Sequence, residues 1–327
     1  MEIRNYIFEL LNERVIQILP KGEIKYLPKV SDLDSSIVPF YDLIFVLERF
    51  LKSKILPIKF EIIYSSNFDS SKLPNKVIGN LRKLEKMLST GDIKVNDSSL
   101  GFLPKSAKKY LSNPYGSTNK RRYIVDFTSQ FFGIKHFHLD SYSTGKNILL
   151  YYVIVNQKMF FLKIGTHKDF YTKTLVENLI YEFPEIINDL GIYAMSDMPV
   201  GKKYEYSNDE IKDIWTSGGN VSFYINNQYY TSANPQTFSR LNTEVIDIAR
   251  NIIYQFEESL RQFKLKLNNG RELNNAIEIV PLRYDDGEFF KGGNILIGDN
   301  ISKIAVEIPI DFLNKLRYID VMLKKIA

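Results

Sequence analysis

The chain contains no cysteine and only three histidines in 327 residues. Without cysteine there is no disulfide framework, no thiolate nucleophile and no zinc knuckle. No apolar run approaches the roughly 20 residues that a membrane-spanning helix needs. The opening residues Met1-Glu-Ile-Arg-Asn-Tyr6 lack the basic region, apolar stretch and small-residue cleavage site of a secretion signal. A cytoplasmic, bacterial-type protein with no membrane partner is the expectation. Gly218-Gly219 and Gly292-Gly293 lack the spacing and the Lys-Ser/Thr of a phosphate-binding loop, so both read as turns.

Hydrophobic residues make up 44% and charged residues 25%, the balance of a soluble globular protein. Phenylalanine (22) and tyrosine (21) are plentiful, which favours sheet-containing cores and an α+β fold class. The chain is long for one compact domain and short for three, so two cores, or two and a half, are expected.

All three histidines, His136, His138 and His167, fall within one window. Histidine titrates nearest neutrality and is a common metal ligand, so this clustering points to a use. If Gly133-Ile-Lys-His-Phe-His-Leu-Asp140 is a strand, period-2 alternation puts His136, His138 and Asp140 on one face and Phe137 and Leu139 on the other. The expectation is a displayed polar set over a buried apolar pair. Ile148 to Val155 and Met159 to Gly165 are apolar and aromatic runs joined at Asn156-Gln157, the signature of a hairpin. Pairing Val155 with Lys158 would set Ile148 opposite Gly165 and bring His167 to the rim that holds His138 and Asp140.

The series His-x-His-Leu-Asp, apolar hairpin, Gly-Thr-His-Lys-Asp-Phe resembles the carboxyl half of the RelE/YafQ superfamily of bacterial messenger-RNA-cleaving toxins. The resemblance covers about residues 133–171. It implies a central antiparallel sheet with flanking helices of RelE-like type, with additional α+β domains on either side. It also implies that His138 and His167 match the family's two functional histidines, with Asp140 nearest its acidic residue. In the toxins that acidic residue stands four positions beyond the histidine rather than two, and the Ser141 to Asn147 connection is shorter.

Three parts are expected: an amino-terminal α+β domain with a basic connector (1–112), the RelE/YafQ-like domain (113–199) and a carboxyl-terminal α+β domain (200–327). The net charge of +5 is modest, but Lys105, Lys108, Lys109, Lys120, Arg121 and Arg122 cluster with Phe102, Tyr110 and Tyr115 and no acidic residue. Cations interleaved with aromatics suit an RNA backbone and unstacked bases; a solvated connector has the same composition. Helices are expected at 41–51, 75–88, 171–190, 242–263 and 310–325, a strand at 58–64, and a hairpin turning at Asn226-Asn227.

Three chemistries suit the histidines. The first is metal-independent RNA cleavage without a cofactor, with His138 and His167 as base and acid, His136 beside them, and Asp140 orienting an imidazole. Lys135, Lys168, Arg121 or Arg122 would hold the phosphate. The second is a three-histidine metal hydrolase with an open ligand position, Asp140 or Asp169 serving as a ligand or a partner to one. The third is a degenerate toxin-like fold that binds RNA or protein without chemistry. The resemblance implies RNA as partner, with or without the ribosome, and an antitoxin or regulatory protein in a toxin-antitoxin setting; the large flanks, as architecture, point to phage defence. The flanks would restrain the nuclease, sense a trigger or assemble an oligomer.

Overall fold

The computed structural model describes residues 55–92, 127–140, 148–195, 205–217 and 219–233. It also describes short strands at 111–112, 122–123, 279–281, 290–291, 294–299 and 305–309, and helical positions 12, 16, 43, 44, 246, 247, 250, 251, 254 and 258. The chain forms two compact units, Lys52–Thr243 and Met1–Leu51 with Glu244–Ala327.

The first unit runs β1 (Glu61–Tyr64), α1 (Asn75–Thr90), β2 (Leu111–Ser112), β3 (Arg122–Tyr123), α2 (Phe127–Phe132), β4 (Lys135–His138), β5 (Leu149–Val155) and β6 (Lys158–Gly165). A 3-10 turn (His167–Tyr171), α3 (Lys173–Glu182), a second 3-10 turn (Pro184–Ile186), β7 (Ile192–Met195), α4 (Asn208–Thr216), β8 (Phe223–Ile225) and β9 (Gln228–Ser232) complete it. The fold class is α+β, as expected. The central sheet has the order β1-β6-β5-β4 and is mixed rather than antiparallel throughout, because β1 lies parallel to β6. Strands β7, β9 and β8 form a separate antiparallel sheet, and β2 pairs with β3.

These pairings run across both borders expected from the sequence. Strand β1 precedes residue 112 yet is hydrogen-bonded to β6, and β7 precedes residue 199 yet pairs with β9. Backbone groups at 61–64 and 192–195 find partners far along the chain, which local composition does not signal.

Alternation of side chains across the strands creates two cores. On one face, Phe137, Leu139, Leu150, Tyr152, Met159 and Phe161 meet α1 through Val77, Leu81, Leu84, Met87 and Leu88. The 3.6-residue spacing of those α1 residues is why this stretch is a helix. It ends at Gly91, whose left-handed φ of 76° returns the chain beside Ile58. On the other face, Ile134, Leu149, Tyr151, Val153, Phe160 and Leu162 pack with Phe131 and Phe132 of α2, Leu175 and Leu179 of α3, and Trp215 of α4.

Both expected hairpin turns form. Asn156 and Gln157 (φ 48° and 63°) and Asn226 and Asn227 (φ 51° and 62°) take the left-handed conformation that matches the twist of flanking strands. Val155 pairs with Lys158 as expected, but a bulge between Tyr151 and Tyr152 shifts the far end, so that Leu149, not Ile148, faces Gly165. The bulge also places Lys163 opposite Tyr151, which takes it off the α1 face that strict alternation with Met159 and Phe161 would give it.

The helix expected at 171–190 is divided. The 3-10 turn precedes α3, and Pro184 opens the second 3-10 turn, where its missing N–H costs nothing. In the second unit, β10 (Ile279–Pro281), β11 (Phe290–Lys291), β12 (Asn294–Asp299) and β13 (Ala305–Pro309) form an antiparallel sheet. Leu43 and Ile44 are helical and buried. Positions 246, 247, 250, 251, 254 and 258 are helical and lie on the side of the expected 242–263 helix away from its apolar stripe; none of them is buried. The stripe itself and the helix expected at 310–325 lie outside the described residues. No described helix is long and apolar enough to cross a membrane.

Candidate functional site

The site forms where β4 passes beside the 3-10 turn that follows β6. His136 and His138 are on β4 with their side chains on one face; His136 pairs with Tyr151 and His138 with Leu149. His167 begins the 3-10 turn. The imidazole centroids are 5.1 Å apart for His136 and His138, 5.8 Å for His136 and His167, and 5.3 Å for His138 and His167. One ring nitrogen from each histidine lies within 4.8 Å of the other two. Three points so spaced share a centre no more than about 2.8 Å from each, the length of a hydrogen bond to a single oxygen. The three nitrogens are therefore close enough to share one bound atom.

The histidines are not displayed as alternation alone suggested. His136 retains 8% of its exposure and His138 2%, while His167 is half-buried. The reason is the 3-10 turn, which returns over this face and packs the Phe170 ring 5.0 Å from His136 and 5.1 Å from His167.

The backbone at His167 is held from three sides. The Tyr151 hydroxyl donates a 2.6 Å hydrogen bond to the Thr166 carbonyl. The Thr166 N–H donates to Asp169 Oδ2 at 2.7 Å, and the Lys168 N–H donates to the Thr166 hydroxyl at 3.3 Å, which caps the turn. Lys163, turned to this face by the bulge, donates to Asp169 Oδ1 at 2.7 Å. Burial by itself would raise the Asp169 carboxyl. The Lys163 hydrogen bond, the Thr166 amide and the Lys163 charge outweigh it and hold Asp169 below the ordinary carboxylate range. Gly165 leaves room for this carboxylate, since a Cβ there would stand 2.6 Å from Asp169 Oδ2.

Of the residues expected from the sequence, the fold brings His136, His138 and His167 together. Asp140 is buried just past β4 and lies outside the converging set. Lys135 belongs to the face opposite the histidines: it shares strand parity with Phe137 and pairs with Tyr152, both of the α1 core. Lys168 is exposed beside His167. Asp169 spends both oxygens on Thr166 and Lys163, which makes it a brace for the turn rather than a ligand. Arg121 lies outside the described residues. Arg122 is on β3, with its side chain outside the description. Tyr151, Lys163 and Phe170 escaped sequence reasoning because each sits in an apolar or basic run that reads as ordinary strand or helix.

No protein-family model, curated protein or solved structure matches the chain.

Proposed function

We propose that the Lys52–Thr243 unit carries an RNA phosphodiester-cleaving centre with His136, His138 and His167 as its working groups. The observation that supports this reading is the convergence of every imidazole in the chain on one point. The likeness of residues 133–171 to the messenger-RNA-cleaving toxins supplies the substrate class. In the metal-independent form, one of His138 and His167 takes the proton of the ribose 2′-hydroxyl, whose oxygen attacks phosphorus. The other protonates the departing 5′-oxygen, leaving a 2′,3′-cyclic phosphate. Lys168, next to His167 in sequence and exposed, is the candidate for charge on the phosphate, and the second unit is proposed to restrain or assemble the nuclease.

A second reading, a three-histidine metal hydrolase, is favoured by the size of the site. Base and acid must stand on opposite sides of a phosphate, whereas donor atoms within 4.8 Å of one another leave a space the size of a single atom between them. Labelled RNA incubated with the full chain, with and without ribosomes and EDTA, separates the two. Metal-independent chemistry predicts chelator-resistant cleavage with cyclic-phosphate ends, falling on the order of 100-fold or more in His138→Ala and His167→Ala. Intact RNA in every condition would reject both readings and favour a binding or assembly role.

A further inference from the structure

We infer that His136, His138 and His167 bind one divalent first-row transition-metal ion of the zinc class, through three imidazole nitrogens with a fourth position left to an oxygen ligand. The binding argument stands on the geometry of the triad; only its catalytic consequence rests on the RNA-cleaving reading above.

The donor set is the first ground. Three neutral imidazoles with no thiolate suit Zn²⁺, Cu²⁺ or Ni²⁺, whereas Mg²⁺ and Ca²⁺ require oxygen ligands. Three protein ligands plus an exchangeable fourth is the arrangement of catalytic rather than structural zinc.

Distance is the second. The common centre lies at most about 2.8 Å from each nitrogen, against a Zn–N bond of about 2.1 Å. Each imidazole needs to move inward by under about 1 Å, which is within the reach of small side-chain rotations. The carbon backbone can stay where it is.

Preorganisation is the third. Two ligands stand two residues apart on a strand hydrogen-bonded to β5, so their spacing is set by the sheet. The third is on a turn braced by Tyr151, Lys163 and Asp169. The low exposure of His136 and His138 limits the water that competes for the ion.

An ion so held would employ the three imidazoles as ligands, removing them from proton transfer and giving the centre a Lewis acid able to polarise a phosphoryl oxygen and acidify a bound water.

The test is a Co²⁺ titration of the chelator-stripped, dialysed full chain, followed by visible absorption and by metal content. The expected result is one Co²⁺ per chain with the intense bands of a low-coordinate site, displaced by Zn²⁺. His138→Ala and His167→Ala should weaken binding by at least about 100-fold, and His167→Gln should do the same with less disturbance of packing. Zinc should raise the Tm of the wild type and leave the three variants unchanged. Absence of Co²⁺ binding by the wild type, or binding that survives the loss of His138 and His167, overturns the inference. Co²⁺ binding alongside intact RNA upholds the metal site and removes the RNA-cleaving reading. Chelator-resistant RNA cleavage by a chain that takes up no Co²⁺ does the reverse.

Discussion

The hydroxyl of Tyr151, a fully buried residue in the middle of β5, donates a 2.6 Å hydrogen bond to the carbonyl of Thr166, the residue that precedes His167. A core side chain thereby sets the backbone from which the third histidine springs. Tyr151→Phe keeps the ring and removes the hydroxyl that makes this bond. The expected outcome is a fall of about 10-fold in Co²⁺ affinity or RNA-cleaving rate, with a stability loss near 1 kcal/mol. Side-by-side titration and thermal unfolding of Tyr151→Phe and wild type measure the two effects separately; a stability loss with unchanged function would make Tyr151 a packing residue only.

Gly165 tests the other brace. A methyl group there meets Asp169 Oδ2 at 2.6 Å, so Gly165→Ala displaces the carboxylate from the Thr166 amide. Loss of this cap costs about 1 kcal/mol, and His167 loses its fixed position. Function should fall in Gly165→Ala, as read by Co²⁺ titration and RNA cleavage beside the wild type. Activity equal to wild type in the single variant would show that the turn tolerates the methyl group.

The carboxylate of Glu182, at the end of α3, accepts from the Ser66 hydroxyl at 2.6 Å and the Ser66 N–H at 2.8 Å. The hydroxyl bond and then the amide bond hold its pKa below the ordinary glutamate value. A depressed folded-state pKa adds stability that is present above the unfolded-state value and is lost as pH falls through the folded one. Protection of the Ser66 amide against hydrogen exchange, taken relative to its intrinsic rate at each pH, should therefore fall on acidification below the ordinary glutamate range. In Glu182→Gln the same amide should exchange faster at neutral pH and show no such step.

Trp215 is the chain's one tryptophan and is buried at 1% exposure among Phe127, Phe131 and Phe132. Leu84 of α1 is fully buried in the core on the opposite face of the central sheet. Leu84→Ala should destabilise by about 2–5 kcal/mol, and the Trp215 fluorescence transition should move to lower denaturant by the matching amount. An unmoved Trp215 transition would show that the two faces unfold independently.

Several parts of this architecture were legible because they depend on residues near one another in sequence. The stripe Val77, Leu81, Leu84 and Leu88 predicts α1, and Asn156-Gln157 and Asn226-Asn227 predict their turns from the left-handed backbone those residues accept. The shared face of His136 and His138 follows from the period of a strand. The same rule assigns Lys135 to the other face, although its charge beside His136 suggested phosphate binding.

The sequence by itself determined the donor types available, three imidazoles and no thiol, and the local periodicities that make β4 a strand and α1 a helix. Tertiary structure alone decided that β1 would join β6 in parallel, that a bulge would turn Lys163 toward Asp169, and that Phe170 would close over the histidines. Each of these depends on backbone pairing and packing between segments distant along the chain. Period and propensity describe which way a side chain leaves its own strand or helix; what it meets there is set by the rest of the fold.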